Sequence, residues 1–243
     1  MFDNIIFQML QIKLEVFFTM SAIYPVLGFT HPLSSITHFL GAIFFTYQAI
    51  LMLRRGKGSG IRIISLAVFS GSCIFLLLVS GIYHLLTTTG TAHTIFQRLD
   101  HAAIFLVIAG TFTPIHCILF TGFLRWGFLA IVWVLAISGL IVKTIFFTII
   151  PEWLGLSFYL GLGWMGLFMG FHLWRRYGFA FIQPLVLGGI FYTIGAIIEY
   201  HQKLTILPGI IGPHEILHIA VLLGIGFQWW FIVKVLDQVS SIK

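Results

Sequence analysis

The chain has 243 residues, of which 59% are hydrophobic and only 8% charged, against roughly 25% charged residues in a soluble domain; its mean hydropathy is +1.06. This excludes a soluble globular fold, and with 26 Phe and 7 Trp no stretch reads as disordered or low-complexity. The formal charge of +6 comes from Lys and Arg at the edges of apolar runs, so it reports membrane orientation rather than nucleic-acid binding.

Residues 1–30 come first. Ile5 to Phe18 is apolar on more than one face but is broken by Lys13 and Glu15 and preceded by Asp3, a pattern that suits an interfacial helix better than a span. The acidic start and the lack of a small-residue cleavage site argue against a signal peptide. A membrane-spanning helix needs about 20 apolar residues, and seven runs over residues 31–238 qualify: Ser34 to Leu53, Ile61 to Leu86, His101 to Phe120, Trp126 to Ile150, Trp153 to Trp174, Phe179 to Tyr200 and Pro213 to Leu236, followed by a tail over 239–243. The connectors carry turn residues, such as the Gly-rich stretch Gly56 to Gly60, the Thr-rich stretch from Thr87 and the lone Pro151. The expected fold is an all-α, polytopic seven-helix membrane bundle. Cys73 and Cys117 lie in separate apolar runs, with neither the spacing nor the setting of a disulfide framework or thiolate metal site.

Orientation follows from the basic residues. Arg54, Arg55, Lys57, Arg62, Arg125, Arg175, Arg176, Lys234 and Lys243 gather on one face, against Lys13, Arg98, Lys143 and Lys203 on the other. The positive-inside rule puts the first face in the cytoplasm, with the N-terminus outside and the C-terminus inside.

Ionisable groups within spans cost about 2.5 to 3.5 kcal/mol at a helix centre, which makes each a functional candidate. Because successive spans alternate direction, the starts of odd helices and the ends of even ones share a face. That face collects Ser34 and His38, Ser80 and His84, Asp100 and His101, and His214, Glu215 and His218. His214 and His218 stand four apart, one above the other on a single helix side, and could hold one metal ion. A nitrogen from His84 would complete the three-ligand arrangement of a catalytic zinc centre with one open position. Ser80 and Asp100 could orient a water there, and Asp100 could take its proton. The ordinary reading of a histidine near a helix end is an interfacial or hydrogen-bonded residue, and it is kept for His31, His93, His116, His172 and His201.

His214-Glu215-Ile216-Leu217-His218 also matches the zinc-protease pattern H-E-x-x-H, with Glu215 as general base. Such an enzyme needs a third ligand, and the downstream carboxylate, Asp237, lies about five turns along the same helix, at the opposite side of the bilayer. A channel or transporter would want charges spread through the bundle's depth; here Lys143 and Glu199 alone lie near helix ends elsewhere.

At these residues the chain resembles the hemolysin III family, relatives of the progestin and adiponectin receptors that are similar in turn to alkaline ceramidases. The resemblance runs from about Ser34 to Leu236. It is carried by Ser34-Ser35-Ile36-Thr37-His38, Ser80-Gly81-Ile82-Tyr83-His84, Arg98-Leu99-Asp100-His101, Thr111-Phe112-Thr113-Pro114, Gly161-Leu162-Gly163-Trp164, Gly188 to Gly195 and His214 to His218. It implies a seven-helix bundle holding zinc through His84, His214 and His218, with Ser80 and Asp100 at the metal's water. His38, Ser34, Tyr83, His101 and Glu215 are expected around this pocket. Glu215 looks less like a base in this light, since relatives can carry glutamine there. The sequence departs from the family at Gln228, where many members have histidine. Its charge count also puts the zinc face outside, whereas the adiponectin receptors are understood to keep theirs in the cytoplasm. The expected function is zinc-dependent hydrolysis of a membrane-lipid amide or ester, ceramidase-like, in a bacterial inner membrane. The alternative is a sensor or haemolysis-associated protein whose zinc is structural.

Overall fold

The computed structural model describes residues 30–87 and 89–240; the expected N-terminal interfacial helix and the last residues of the tail lie outside them. Among the described residues, seven helices long and apolar enough to cross a membrane follow one another: α1 Pro32–Arg55, α2 Gly60–Leu85, α3 Thr91–Leu119, α4 Gly122–Ile145, α5 Glu152–Tyr177, α6 Phe179–His201 and α7 Pro213–Ser240. No strand occurs among the described residues beyond an isolated bridge, Leu207 to Ile211. Large side chains such as Ile43, Val134, Leu167 and Ile149 are largely exposed around the outside. So much exposed apolar surface has no place in water and suits a lipid-facing wall.

Each helix packs antiparallel on its chain neighbour from α1 to α4, and α6 pairs with α7. The centre is α3, the most enclosed of the seven. α1 packs on both α2 and α7, whose backbones stay apart while Phe69 and Trp229 meet between them, ring centroids 5.2 Å apart. The core among them is built from Phe45, Phe69, Phe105, Trp229 and Phe231 with aliphatic neighbours.

Small residues let α6 and α7 approach closely, the device that replaces the hydrophobic effect between helices in lipid. A Cβ on Gly195 would stand 2.7 Å from that of Ala220. One on Gly188 would meet the Gln228 amide at 2.6 Å, so Gln228 fills the space this glycine leaves and donates to the Leu185 carbonyl at 3.3 Å. Gln228 sits ten residues beyond His218, about 15 Å along the helix, in the packing of α6 on α7.

Two boundaries differ from the hydropathy reading. α3 starts at Thr91 after Gly90 (φ 105°), not near His101, because polar Gln97, Arg98 and Asp100 lower the hydropathy without breaking helical hydrogen bonding. Its 29 residues extend about 43 Å, longer than the hydrocarbon layer of about 30 Å, so its first turns stand at the headgroup level. α5 is a pair of segments, Glu152–Trp164 and Gly166–Tyr177, that meet at Met165 beside Gly161, Gly163 and Gly166.

The α6–α7 connection is tightly made. Gln202 caps α6 in the left-handed region (φ 51°) and donates to the Ile198 carbonyl. A Pro208-Gly209 turn with Gly209 at φ 78° then closes through Ile210 N–H to Leu207 O at 3.0 Å, the conformation for which glycine is favoured. It delivers the chain to Gly212 and the first turn of α7.

Candidate metal centre

Three histidines from two helices converge at one end of the bundle. On α7, His214 and His218 stand one turn apart with their Nε2 atoms 2.9 Å from each other, and His84, in the last turn of α2, brings its Nε2 to 3.3 Å from that of His214. One nitrogen from each lies within 4.8 Å of the other two. Metal–nitrogen bonds of 2.0–2.1 Å at tetrahedral angles separate ligand nitrogens by about 3.3 Å, so the set fits one small cation. Facing ring nitrogens have little reason to crowd together in a buried place unless a shared electrophile draws them. His84 and His218 are buried, and His214 is partly open.

The neighbouring backbone fixes His84. The His31 N–H donates to the His84 carbonyl at 3.1 Å, Thr30 Oγ1 to the Leu86 carbonyl at 2.6 Å, and Ser35 Oγ to the Gly81 carbonyl at 2.7 Å. The first turn of α1 and the two residues before it thus donate to carbonyls at the end of α2.

Behind the ligands stands a further layer. Glu199 Oε1 lies 3.0 Å from His214 Nδ1; a carboxylate only accepts, so Nδ1 carries the proton and Nε2 presents its lone pair to the centre. His38, buried on α1, places Nε2 3.0 Å from His218 Nδ1 and 3.4 Å from the His218 carbonyl, while its own Nδ1 is buried without a partner among the described residues. A ligating Nε2 on His218 requires its Nδ1–H to face His38, which the geometry permits.

Glu215 is turned to another task. It is 1% exposed, with Oε1 3.0 Å from His31 Nδ1 and Oε2 accepting from the Gly212 N–H at 3.0 Å. Both oxygens are occupied in tying α7's first turn to its preceding loop and to α1, a favourable place for an acid at a helix N-terminus. This is the arrangement of a structural clamp rather than of the general base that the H-E-x-x-H pattern would need. Asp237 pairs with Arg55 at the far end of the bundle.

The other expected residues divide. Ser80 Oγ is buried one turn from His84, and the Asp100 carboxylate of α3 is its near neighbour. Ser34 Oγ is likewise buried, with no hydrogen-bond partner among the described residues. Tyr83 packs its ring against His84, centroids 4.5 Å apart, and its hydroxyl accepts from Gln97 Nε2 at 3.2 Å. His101 is held by its own helix, Nδ1 to the Gln97 carbonyl at 2.8 Å, with its edge on Phe147; it is not among the convergent nitrogens.

Two members of the site were not singled out from sequence. His31, read as an ordinary interfacial or hydrogen-bonded histidine, is hydrogen-bonded, but to Glu215, and its ring packs on those of His84 and His214 at 5.4 and 5.3 Å. Glu199, placed elsewhere on the sequence reading, backs His214. The signal was present: the alternation that gathers the other residues also puts the end of α6 on this face.

Comparison with known proteins agrees with this architecture. Residues 29–229 match a family model described as Haemolysin-III related. The protein named hemolysin-3 from Bacillus cereus is 32% identical over 202 residues, covering 82% of this chain and 89% of the relative. The hemolysin-3 homolog of Bacillus subtilis (strain 168) is 32% identical over 173 residues, covering 70% of this chain and 80% of the relative.

Proposed function

Because the chain belongs to the haemolysin-III-related family and is an integral multi-pass membrane protein, we propose that its three-histidine centre holds zinc and hydrolyses an amide or ester bond of a membrane lipid. The observation that carries this reading is the convergence of His84, His214 and His218 near a buried hydroxyl, Ser80, with the Asp100 carboxylate beside it. Three imidazoles with a fourth position open are the donor set of catalytic zinc sites. When bound, zinc supplies Lewis acidity that polarises a carbonyl and lets water lose a proton near neutral pH. Asp100 takes that proton and returns it to the leaving amine or alcohol. Ser80 directs its hydroxyl at the reacting oxygen. Glu199 and His38 hold the rings of His214 and His218 in the ligating tautomer. A lipid substrate reaches the site sideways between helices, since the ligands sit at helix ends near the bilayer edge. By the charge count this face is outside a bacterial cytoplasmic membrane.

A second reading treats the zinc as structural, within a sensor or a protein associated with haemolysis. The contacts that link α1, α2, α6 and α7 around the site favour it, since a metal there pins separate helices together. Metal content by mass spectrometry on detergent-purified protein, with lipid-amide hydrolysis on the same samples, separates the two. Near one zinc per chain, lost in His84→Ala, His214→Ala and His218→Ala together with an activity, supports the hydrolase, and Asp100→Asn then keeps the metal while losing turnover. Zinc without turnover of any lipid offered supports the structural reading. A wild type free of zinc sinks both.

A further inference from the structure

At the opposite end of the bundle from the histidines, four helix termini enclose a cavity of about 270 Å³ lined by Ser59, Arg62, Cys117 and Arg125, with Ile61, Ile118 and Val239 as its apolar part. Ser59 caps α2, and its hydroxyl accepts from the Arg62 N–H; the first N–H groups of α2 therefore lie at the cavity's edge and carry the positive end of the helix dipole. Arg125 donates from one guanidinium nitrogen to the Cys117 carbonyl at 2.7 Å, and its Nε is buried without a partner among the described residues. The Arg62 guanidinium has no ion-pair partner among them either. Asp237, the side-chain carboxylate of the last turns of α7, is engaged by Arg55.

Two guanidinium groups and a helix N-terminus with no counter-charge among the described residues form an incomplete electrostatic arrangement. A buried guanidinium nitrogen left unpaired is costly, and the planar fork of arginine matches the oxygens of a phosphate. The setting adds to this. The apolar lining sits beside exposed Trp126, over whose ring Arg125 lies at 5.9 Å, and amphipathic rings of this kind mark the headgroup level. Basic pockets between transmembrane helices recognise anionic headgroups.

We propose that this cavity binds a phosphate group, held between Arg62 and Arg125 at the N-terminus of α2, and that a phospholipid of the adjacent leaflet supplies it. The site is independent of the metal centre: it shares no residue with it and lies at the other end of α2.

The test uses the full chain, purified in detergent, delipidated and exposed to dioleoylphosphatidylglycerol, dioleoylglycerol or inorganic phosphate, with bound species counted by native mass spectrometry and stability followed by thermal melting. Wild type is expected to retain phosphatidylglycerol and to melt higher with it, but not with dioleoylglycerol, which has the same chains and no phosphate. Arg62→Gln removes a guanidinium with no ion-pair partner among the described residues, so it is expected to leave folding intact and to lose most of the retained lipid; Arg62→Gln/Arg125→Gln loses the rest. Arg175→Gln/Arg176→Gln, equally basic and exposed on the same face outside the cavity, is expected to retain it. Stabilisation by inorganic phosphate alone, abolished in Arg62→Gln, supports the anion site and assigns free phosphate as its source. Equal retention in Arg62→Gln and wild type, or equal loss in the Arg175/Arg176 variant, overturns the proposal.

Discussion

The contact between Glu199 and His214 offers the sharpest test of how the metal centre is built. Its 3.0 Å separation fixes the proton on Nδ1, and removing an outer-shell partner of this kind costs roughly 10- to 100-fold in metal affinity, or about 1.4 to 2.7 kcal/mol. Both side chains are about 30% exposed, so solvent screens part of the charge interaction and the lower half of that range applies to the charge alone. Glu199→Gln keeps an acceptor oxygen within reach of Nδ1–H and is expected to weaken zinc binding by about tenfold. Glu199→Ala removes acceptor and charge together and is expected to approach the hundredfold end. The assay is competition with a chelator of known affinity on detergent-purified protein, with thermal melts to confirm that each variant folds. Wild-type zinc affinity in Glu199→Ala would show that His214 needs no carboxylate to set its tautomer, and the argument for a supporting layer would fail.

Three other expectations follow from the packing. Glu215→Ala strands the buried Gly212 N–H and the His31 ring, costing about 1–3 kcal/mol, so thermal stability falls while one zinc per chain remains; loss of the metal with unchanged stability would return Glu215 to the site's chemistry. Gly195→Leu drives a side chain into Ala220 and Leu217 and is expected to destabilise by about 1–3 kcal/mol through overpacking, whereas Gly161→Ala, inside a helix with nothing near its Cβ position, is expected to hold or raise the melting temperature. Arg55→Ala breaks an exposed pair with Asp237 and is expected to cost less than about 1 kcal/mol; a larger drop in a denaturation melt would assign that pair a part in holding α1 to α7.

Hydropathy makes the seven spans legible because an apolar run of bilayer length has few alternatives to a helix in lipid. The convergence of His84 with His214 and His218 is legible for a different reason: helical spacing pairs the last two, and alternating direction brings the end of α2 to their level. What stays hidden depends on lateral neighbours, which alternation does not specify. Glu199 shares a membrane face with many residues, and only the close packing of α6 on α7 through Gly195 and Ala220 selects His214 as its partner. Glu215 likewise matches a motif whose meaning rests on where its carboxylate points; the Pro208-Gly209 turn brings Gly212 N–H to it, and α1 brings His31. The early start of α3 escapes hydropathy because Arg98 and Asp100 are tolerated inside a helix whose first turns stand at the headgroups.

α2 and α7 carry the three histidines and meet at those rings and again where Phe69 packs on Trp229, centroids 5.2 Å apart, while α1 packs on both. A cation bound to His84 and His214 would join positions 130 residues apart in the chain, on two helices whose backbones seldom approach each other, and it would act as a removable cross-link. Anything that binds the folded state alone raises its stability with the logarithm of free ligand concentration. The grip on the first turn of α7 would then follow the metal supply on that side of the membrane, tightening when the ion is plentiful and loosening as a competing chelator strips it away.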